Sequence, residues 1–466
     1  MDFQKKQHIH FVGIQGVAMT SLAIWAKEYG HTVSGVDVDN WFPTRDPLRQ
    51  ANIVPRSMGH APSKRSDIDV VIYTGAHGGV TNPYLREFLK QGIPCLSHGR
   101  ALGMIMDPFV QVAIGGSHGK TTVSAMVAMI LEHSAMDPSY VVGCAGIRPS
   151  RLPGKFGKGR LFVAEADEYL TDPSSDPTPR FHWLRPSYLG ITNVDYDHPD
   201  AYRDLRELQH VFEVLIGKLR KPKVCVVNAD DPKSGFLRQY SSFRTVGRAK
   251  NANYSIQAIR VSPLGTSCII EHEGEKHRVS LRVSGEHNAI NAGFAAALCR
   301  EIGVPWEKII EALETFEGTK RRLEFLGEVR KIRIYDDYAH HPTEIRTTLK
   351  TLRALYKNRR IVAVFQPHTY SRTRALLSSF SQAFKSADII GITDIFGSAR
   401  ESKDNSICGE VLSRAVRTNG GDATYLDTYE RCSAFIKRHA RPGDVAVFMG
   451  AGDIDVWARQ FLSVEA

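Results

Sequence analysis

The residues with the clearest chemical potential form the sequence GGSHGKTT between Gly115 and Thr122. Glycines allow a tight turn in which backbone N–H groups point at phosphate oxygens, and a helix that starts at the turn adds partial positive charge. In such a loop Lys120 contacts the β and γ phosphates, and Thr121 ligates magnesium. The sequence therefore predicts a site for ATP with Mg²⁺, formed by Gly116, Ser117, His118, Gly119, Lys120, Thr121 and Thr122.

The match to a phosphate loop is incomplete, because Ile114 stands where the standard pattern has its first glycine. The alternative interpretation is a glycine-rich turn whose lysine has no ligand. A buried strand, FVQVAI, precedes the turn, and a long apolar helix follows it. This strand and helix favour the phosphate loop.

Polar clusters follow the next two predicted strands. Glu165 to Glu168 reads EADE, and Asn193 to His198 reads NVDYDH. Parallel sheets place ligand sites at the carboxyl ends of their strands, and magnesium takes carboxylate and phosphate oxygens. These clusters are expected to complete a magnesium shell beside the loop. Taken alone, each could instead be a solvated loop or a helix cap.

A second glycine loop, Gly13 to Met19, follows the first predicted strand, and Asp37 ends the next strand. The order resembles a dinucleotide fold. The G-x-G-x-x-G pattern fails at Gln15 and Ala18, so NAD is not indicated. Two interpretations stay open. The loop binds a diphosphate, with Asp37 near a ribose or base, or it only packs a helix tightly on a strand.

Strands alternate with helices along the chain, which predicts an α/β fold with parallel sheets. The new strand at Phe109 to Ile114 predicts a domain boundary near residue 108, and strands that resume after FEGTKRR predict another near 317. The predicted domains are 1–107, 108–316 and 317–466. A helical stretch is expected from Asn288 to Leu313, and loops are expected at 148–159 and 171–180.

Composition agrees with about three domains of ordinary size, since 42% of the 466 residues are hydrophobic and 24% are charged. No segment resembles a signal peptide or a membrane span, so a soluble, cytoplasmic protein is expected. The seven cysteines show no C-x-x-C spacing and are expected to be reduced. The net charge of +10 is spread along the chain without aromatic and basic interleaving, which argues against nucleic acid.

With these residues in view, the sequence resembles the Mur ligase family over essentially its whole length. The resemblance rests on motifs that include GSHGKTT, FVAEADEY, TNVDYDHPDAY, GEHNAINA, FEGTKRRLEFLGE, YDDYAHHPTEI and VFQPHTYSRT. It implies a Rossmann-like domain for a UDP-sugar, a central phosphate-loop ATPase domain and a Rossmann-like third domain that closes over ATP and an amino acid. The implied reaction joins a carboxylate to an amine through an acyl phosphate.

The resemblance also implies the substrates and the residues that handle them. ATP, UDP-N-acetylmuramate and L-alanine are the implied small molecules, with no membrane partner and with the oligomeric state left open. The implied catalytic residues are Lys120, Glu165 and His198, and the implied magnesium ligands are Thr121, Glu165 and His198. Further contacts are implied for ATP at His287, Asn288, Asn291, Arg322 and Asp337, for the UDP-sugar at Gly13, Gln15, Gly16, Met19 and Asp37, and for the amino acid at His341, His368 and Arg372.

Three alternatives stay open. A ligase of the same family that attaches a recycled tripeptide shares EADEY and DDYAHHPT, although VFQPHTYSRT argues against it. A nucleic-acid ATPase predicts binding that weakens steeply with salt. A non-catalytic nucleotide-binding module would bind ATP without releasing phosphate. The sequence departs from the family at two places. Ala18 stands where the family usually has glycine, which would leave a diphosphate more room, and the loop at 171–186 is longer than expected.

Overall fold

The computed structural model describes residues 2–59, 67–239, 243–398 and 401–465. Its strands form three large sheets of five, ten and six strands, together with a two-stranded hairpin. Helices alternate with the parallel strands, as the sequence predicted. None of the helices in these ranges is both long and apolar enough to span a membrane.

The first sheet has the strand order β3-β2-β1-β4-β5, with parallel pairing throughout. Its central strand β1 is nearly all buried, as expected for a strand covered on both faces. Its elements are β1 (His8–Val12), α1 (Val17–Tyr29), β2 (Thr32–Asp37), α2 (Arg45–Gln50), β3 (Arg56–Ser57), β4 (Val70–Tyr73), α3 (Pro83–Lys90), β5 (Cys95–Ser97) and α4 (His98–Met106), with a 3₁₀ helix at Gly79–Thr81.

The second sheet is mixed rather than wholly parallel. The elements in the first half of this unit are β6 (Val110–Gly115), α5 (Lys120–His133), β7 (Ser139–Val141), β8 (Gly154–Lys155), β9 (Leu161–Glu165), the hairpin β10 (Leu170–Asp172) and β11 (Asp176–Pro179), β12 (Tyr188–Ile191) and α6 (Leu205–Gly217), with a 3₁₀ helix at Arg180–Trp183. Its remaining elements are β13 (Val224–Asn228), β14 (Arg244–Gly247), β15 (Tyr254–Ser262), β16 (Gly265–His272), β17 (Glu275–Leu281), α7 (Glu286–Ile302) and α8 (Trp306–Thr315), with a 3₁₀ helix at Pro232–Gln239.

The strand order of this second sheet is β17-β16-β15-β14-β13-β12-β6-β9-β7-β8. The last three strands along the chain pair antiparallel and extend one edge, which the strand and helix alternation did not predict. Strand β6 lies inside the sheet between β12 and β9, both parallel to it. The carboxyl ends of these three strands therefore meet at one edge, where the phosphate loop begins.

The third sheet has the order β18-β19-β23-β20-β21-β22 and is parallel except for its first pair. Apolar helices cover both faces, so it has a core cluster on each side. Its elements are β18 (Glu324–Val329), β19 (Ile332–Asp337), α9 (Pro342–Leu355), β20 (Ile361–Phe365), α10 (Tyr370–Ala375), α11 (Leu377–Ser381), β21 (Ile389–Thr393), α12 (Gly409–Thr418), β22 (Ala423–Leu426), α13 (Tyr429–His439), β23 (Val445–Met449) and α14 (Ile454–Glu465).

One local prediction was wrong. The segment 171–180, predicted as a loop, contributes to the hairpin of β10 and β11, because its extended prolines and polar residues pair across a short turn. The helical stretch predicted from Asn288 to Leu313 is present as two helices, since Gly303 adopts the left-handed conformation that ends a helix. The predicted boundaries near 108 and 317 fall in the short connections before β6 and after α8.

The first and second sheets share one continuous apolar core. The indole of Trp25 in α1 lies 5.6 Å from the ring of Phe162 in β9 and 6.1 Å from Phe156, measured between ring centroids. Aromatic contacts of this kind stabilise beyond the burial of their area. The chain thus has three units, each built around one of the large sheets, and the first two are held together by apolar packing.

Candidate active site

The phosphate loop is a tight turn between β6 and α5. Gly116 has a φ of +115°, and a Cβ there would lie 2.3 Å from the Thr192 hydroxyl oxygen. Only glycine fits such a position. The Ser117 hydroxyl donates to the Asp195 carbonyl over 2.7 Å, which ties the loop to the end of the neighbouring strand β12. The phosphate loop is thus held in shape by the polar cluster Asn193 to His198.

Lys120 is the first residue of α5, and its ammonium is enclosed by acceptors. It donates to both carboxylate oxygens of Glu168, over 3.0 and 2.9 Å, and to the Gly116 carbonyl. Burial opposes the charged form, but the Glu168 and Asp167 carboxylates outweigh it and raise the pKa of Lys120. Glu168 is fully buried. The EADE cluster therefore supplies the partner of the loop lysine, a role that the sequence had not assigned.

The three predicted magnesium ligands lie around the same space. The Thr121 hydroxyl donates to Glu165 over 3.1 Å, and the other oxygen of Glu165 accepts from the Gly143 amide over 2.6 Å. His198 lies with its Nε2 3.6 Å from Glu168. Burial raises the pKa of Glu165, although Lys120 opposes that shift. A half-buried carboxylate and a hydroxyl side by side are hard oxygen donors that suit magnesium.

A cavity of about 510 Å³ opens beside the loop, between α5, α7 and the third sheet. It brings together many residues that the sequence predicted for ATP. Those that line it are His118, Gly119, Thr121, Thr122, His287, Asn288, Asn291, Arg322 and Asp337. Ser117 and Lys120 lie on the other side of the loop, and Gly116 lines neither cavity.

A second cavity, of about 260 Å³, lies on that other side. Lys120, Glu165 and His198 line it, and so do residues of all three units of the chain. The two cavities share Gly119, Thr121, Arg322 and Glu344 in their walls. Two ligand spaces therefore meet at the phosphate loop, one on each side of Thr121.

The first glycine loop reaches the second cavity only through Val17 and Ala18 at the start of α1. The Gln15 amide donates to the Asp37 carboxylate over 2.6 Å, so in this structure the carboxylate holds the loop itself. Burial raises the pKa of Asp37. Of the residues predicted for the UDP-sugar, these lie in or beside the loop and line neither cavity: Gly13, Gln15, Gly16 and Asp37.

The side chain of Met19, which was predicted at the UDP-sugar, is 2% exposed and packs in the shared apolar core. A helix that begins at Val17 turns this position toward the sheet, where an apolar side chain gains most from burial. Contact of Met19 with the UDP-sugar stays a prediction.

The predicted amino-acid residues lie where the third unit meets the segment 195–198. The Nε of Arg372 donates to the Asp197 carboxylate over 2.8 Å and to its carbonyl over 3.1 Å. Both side chains are buried, and the Arg372 guanidinium holds the pKa of Asp197 well below its usual range despite burial. Among the described residues, the Nη2 of Arg372 has no hydrogen-bond partner, and its Nη1 lies 3.3 Å from His368 Nδ1.

His341 was predicted at the amino acid but serves here as the N-cap of α9. Its Nδ1 accepts from the Thr343 amide over 3.2 Å, and Glu344 completes a capping box. None of the three predicted residues His341, His368 and Arg372 lines either cavity. In this arrangement His341 and Arg372 join the third unit to the second, and His368 lies beside Arg372.

His118 of the phosphate loop sits between two carboxylates of different units. Its Nε2 lies 3.3 Å from Asp195 and its Nδ1 3.3 Å from Glu344 of α9. Burial opposes protonation, but these carboxylates raise the pKa of His118 to about 10. Its neighbour His341, 4.8 Å away between ring centroids, has its pKa lowered to about 4, mainly by burial. The sequence had placed Asp195 in the polar cluster but gave Glu344 no role.

The fold and the site are those of an ATP-dependent ligase, and three family models match successive parts of the chain. Residues 8–110 match the model of the Mur ligase family catalytic domain, 114–299 match the Mur ligase middle domain, and 321–452 match the Mur ligase glutamate ligase domain. The chain belongs to the Mur ligase family. Both the predicted family and its three-domain α/β architecture are confirmed.

Individual relatives match over nearly the whole length. The chain is 38% identical to the UDP-N-acetylmuramate--L-alanine ligase of Desulfitobacterium hafniense, covering 96% of this chain and 97% of that one. It is 35% identical to the ligase of the same name from Acetivibrio thermocellus, covering 99% and 97%.

Two solved structures are also similar. The UDP-N-acetylmuramate-alanine ligase of Thermotoga maritima has a TM-score of 0.80 at 27% identity, and the alignment covers 98% of both chains. A murein peptide ligase of Psychrobacter arcticus has a TM-score of 0.73 at 25% identity, again covering 98% of both. Sequence and fold thus point to the same family.

Proposed function

We propose that this chain joins L-alanine to UDP-N-acetylmuramate at the expense of ATP, giving ADP and phosphate, as a cytoplasmic step of peptidoglycan precursor synthesis. The observation that carries the proposal is the meeting of two cavities at Thr121 of the phosphate loop, next to Lys120. One is large enough for a nucleotide and is lined by most of the predicted ATP residues. The other cavity, called the acceptor cavity below, would hold UDP-N-acetylmuramate. Relatives of nearly full length that carry this activity in their names support the choice of substrates.

In the proposed reaction, an oxygen of the lactyl carboxylate attacks the γ-phosphorus and ADP leaves. The amine of L-alanine then attacks the carbonyl carbon of the acyl phosphate and loses a proton. The tetrahedral intermediate collapses with release of phosphate, and an amide remains. A carboxylate and a triphosphate repel each other, so the Lys120 ammonium would offset the charge that shifts between them.

Thr121, Glu165 and His198 are proposed to hold Mg²⁺. The fit rests on the contact between the Thr121 hydroxyl and the half-buried carboxylate of Glu165, which gathers hard oxygen donors next to the loop. When bound, the ion would neutralise part of the negative charge on the reacting phosphate. Glu168 would keep Lys120 aimed along the wall of the acceptor cavity.

Arg372 is proposed to recognise the carboxylate of L-alanine. Its Nε and Nη1 are engaged within the protein, which leaves the Nη2 edge of the planar fork for a ligand. His368 and His341 would border the same end of the site. Small molecules are the proposed partners, without nucleic acid or membrane.

Phosphate release tests the proposal. The purified chain, UDP-N-acetylmuramate, ATP and Mg²⁺ would be assayed with L-alanine, glycine, L-serine or the tripeptide L-alanyl-γ-D-glutamyl-meso-diaminopimelate. We expect release that needs both sugar nucleotide and amino acid, with L-alanine the most efficient acceptor amine. Preference for the tripeptide would identify a murein peptide ligase instead. Release that needs only ATP, or nucleic acid, would contradict ligation.

A further inference from the structure

The segment 170–184, whose role the sequence left open, is fastened to the first unit. The Asp172 carboxylate accepts from the Val80 amide over 2.8 Å. Trp183 packs on α4 so closely that a Cβ at Gly103 would lie 2.5 Å from the Trp183 carbonyl oxygen. The hairpin and the 3₁₀ helix after it therefore have a fixed position against α4.

This packing sets Arg180 and His98 in the wall of the acceptor cavity. Arg180 starts the 3₁₀ helix, and its Nη1 donates to Asp167 over 2.8 Å. His98 starts α4 and is 7% exposed. The two residues come from different units, yet they lie close enough for the Arg180 charge to act on the His98 ring.

Both side chains carry buried polar atoms that the described part of the chain does not satisfy. Neither ring nitrogen of His98 makes a hydrogen bond, and the same is true of the Arg180 Nε. The Ala18 backbone approaches the His98 ring without hydrogen-bond geometry. Buried polar atoms without partners are rare in native proteins and call for an explanation. A ligand in the cavity that they line is such an explanation.

The charges of the two residues suit two parts of one ligand. Burial and the Arg180 guanidinium lower the pKa of His98 to about 4, so the ring is neutral near pH 7 and can both donate and accept. Arg180 stays positive and presents a planar fork that matches a carboxylate. Arg180 also lies near the phosphate loop, since it lines the same cavity as Lys120.

We propose that Arg180 binds the lactyl carboxylate of the sugar nucleotide and that His98 binds uncharged polar groups of its sugar ring. The inference rests on the proposed function, since it takes UDP-N-acetylmuramate as the occupant of the acceptor cavity. Arg180 would then hold the attacking carboxylate next to Lys120. The segment 170–184 would act as a specificity element that is positioned by α4 of the first unit.

Direct binding measurements test the Arg180 assignment. Wild type and Arg180→Gln would be titrated calorimetrically with UDP-N-acetylmuramate, with UDP-N-acetylglucosamine, which lacks the lactyl carboxylate, and with ATP. We expect Arg180→Gln to weaken the first ligand about tenfold or more, the usual effect of losing a charge-assisted hydrogen bond. Binding of the second ligand and of ATP should change less than about twofold.

A matched control is Arg100→Ala. Arg100 stands on the same interface, with its guanidinium 4.6 Å from the Trp183 ring centroid and 3.1 Å from Asp176, but it does not line the cavity. Its loss should leave all three affinities unchanged. Equal weakening of both sugar nucleotides by Arg180→Gln, or no weakening of either, would overturn the carboxylate assignment.

His98→Leu tests the second part, because leucine keeps much of the volume and removes both nitrogens. We expect both sugar nucleotides to bind about fivefold or more weakly, since the ring is common to them, while the melting temperature does not fall because no internal hydrogen bond is lost. Unchanged binding would refute the His98 role. Failure of the wild-type chain to bind UDP-N-acetylmuramate would instead refute the proposed function.

Discussion

The two glycine loops of this chain have the same local design and different surroundings. Each follows the carboxyl end of a parallel strand and leads into a helix, at Val17 in one case and at Lys120 in the other. In the first loop, the Asp37 carboxylate accepts from the loop's own amide at Gln15. In the second, Lys120 and carboxylates of neighbouring strands line a cavity.

The comparison shows that a strand, glycine turn and helix provide a scaffold for phosphate but do not decide the chemistry. Charge at the second loop comes from the ends of β9 and β12 and the residues that follow them, through Glu165, Glu168 and Asp195. The first loop gathers less charge and offers the cavity little more than Val17 and Ala18. We therefore expect substitutions at the second loop to affect the reaction far more than substitutions at the first.

The largest expected effect is that of Lys120→Ala. Loss of the ammonium should slow ligation by about 100-fold to 1,000-fold, or ~3 to 4 kcal/mol in the barrier, which is typical for preorganised electrostatic groups. It should also destabilise the fold by ~3 to 5 kcal/mol, because Glu168 is fully buried and would lose its cation. Steady-state kinetics and denaturant unfolding measure the two effects.

The double variant Lys120→Ala with Glu168→Gln separates these effects. Removing both charges should recover most of the stability and none of the activity. Activity within a few-fold of wild type in either variant would remove the phosphate loop from the mechanism.

Glu165→Gln is expected to raise the Mg²⁺ concentration for half-maximal rate by about tenfold or more, a range that even indirect metal contacts reach. The physical reason is loss of a charged oxygen donor beside Thr121. Glu132→Gln is the matched control, since Glu132 pairs with Arg151 and Lys155 away from both cavities. Magnesium titrations of Glu165→Gln that superimpose on wild type would show that the carboxylate is structural.

Arg372→Lys should raise the Michaelis constant for L-alanine by about tenfold to a hundredfold, and change those for ATP and the sugar nucleotide little. Lysine keeps the charge but loses the fork that spans Asp197 and a ligand. Initial rates with each substrate varied in turn provide the measurement. If only the melting temperature falls, Arg372 is a clamp between the second and third units and not an amino-acid residue.

His118 predicts a pH dependence of stability. Its pKa is raised from 6.5 to about 10 in the folded chain, so its contribution is fully present below pH 6.5 and is lost as pH rises toward 10. Urea unfolding across this range should show stability decreasing with pH, and His118→Asn should flatten that slope. An unchanged slope in the variant would contradict the ion pairs with Asp195 and Glu344.

The smallest effect is expected from Ala18→Gly in the first loop. Glycine would give a diphosphate more room but costs about 1 kcal/mol of helix stability in a helix interior. We expect the Michaelis constant for UDP-N-acetylmuramate to change by less than about threefold. A change of tenfold or more would mean that the first loop contributes directly to binding of the sugar nucleotide, and would contradict the expected difference between the two loops.

Features set by neighbouring residues in the chain could be predicted from the sequence. The phosphate loop, the strand before it and the helix from Lys120 follow from glycine spacing and apolar runs. The prediction that residues of α7, such as Asn288 and Asn291, contact ATP came from the family resemblance, and these residues line the larger of the two cavities at the loop.

Long-range pairing could not be predicted. Arg372 and Asp197 lie 175 positions apart, and only packing of the third unit on the second brings them together. The burial of the Met19 side chain could not be predicted either, because its orientation depends on where α1 begins. His98 carries no motif, and only the folded structure shows its unsatisfied nitrogens.

Transfer of oxygen from the lactyl carboxylate to phosphate tests the proposed acyl-phosphate reaction, because it follows the bond made where the two cavities meet. UDP-N-acetylmuramate labelled with ¹⁸O in its lactyl carboxylate would be converted with ATP and L-alanine, and the released phosphate analysed by mass spectrometry. Attack of that carboxylate on the γ-phosphorus predicts one carboxylate oxygen in each phosphate, at the enrichment of the substrate. Phosphate without label would contradict the formation of an acyl phosphate.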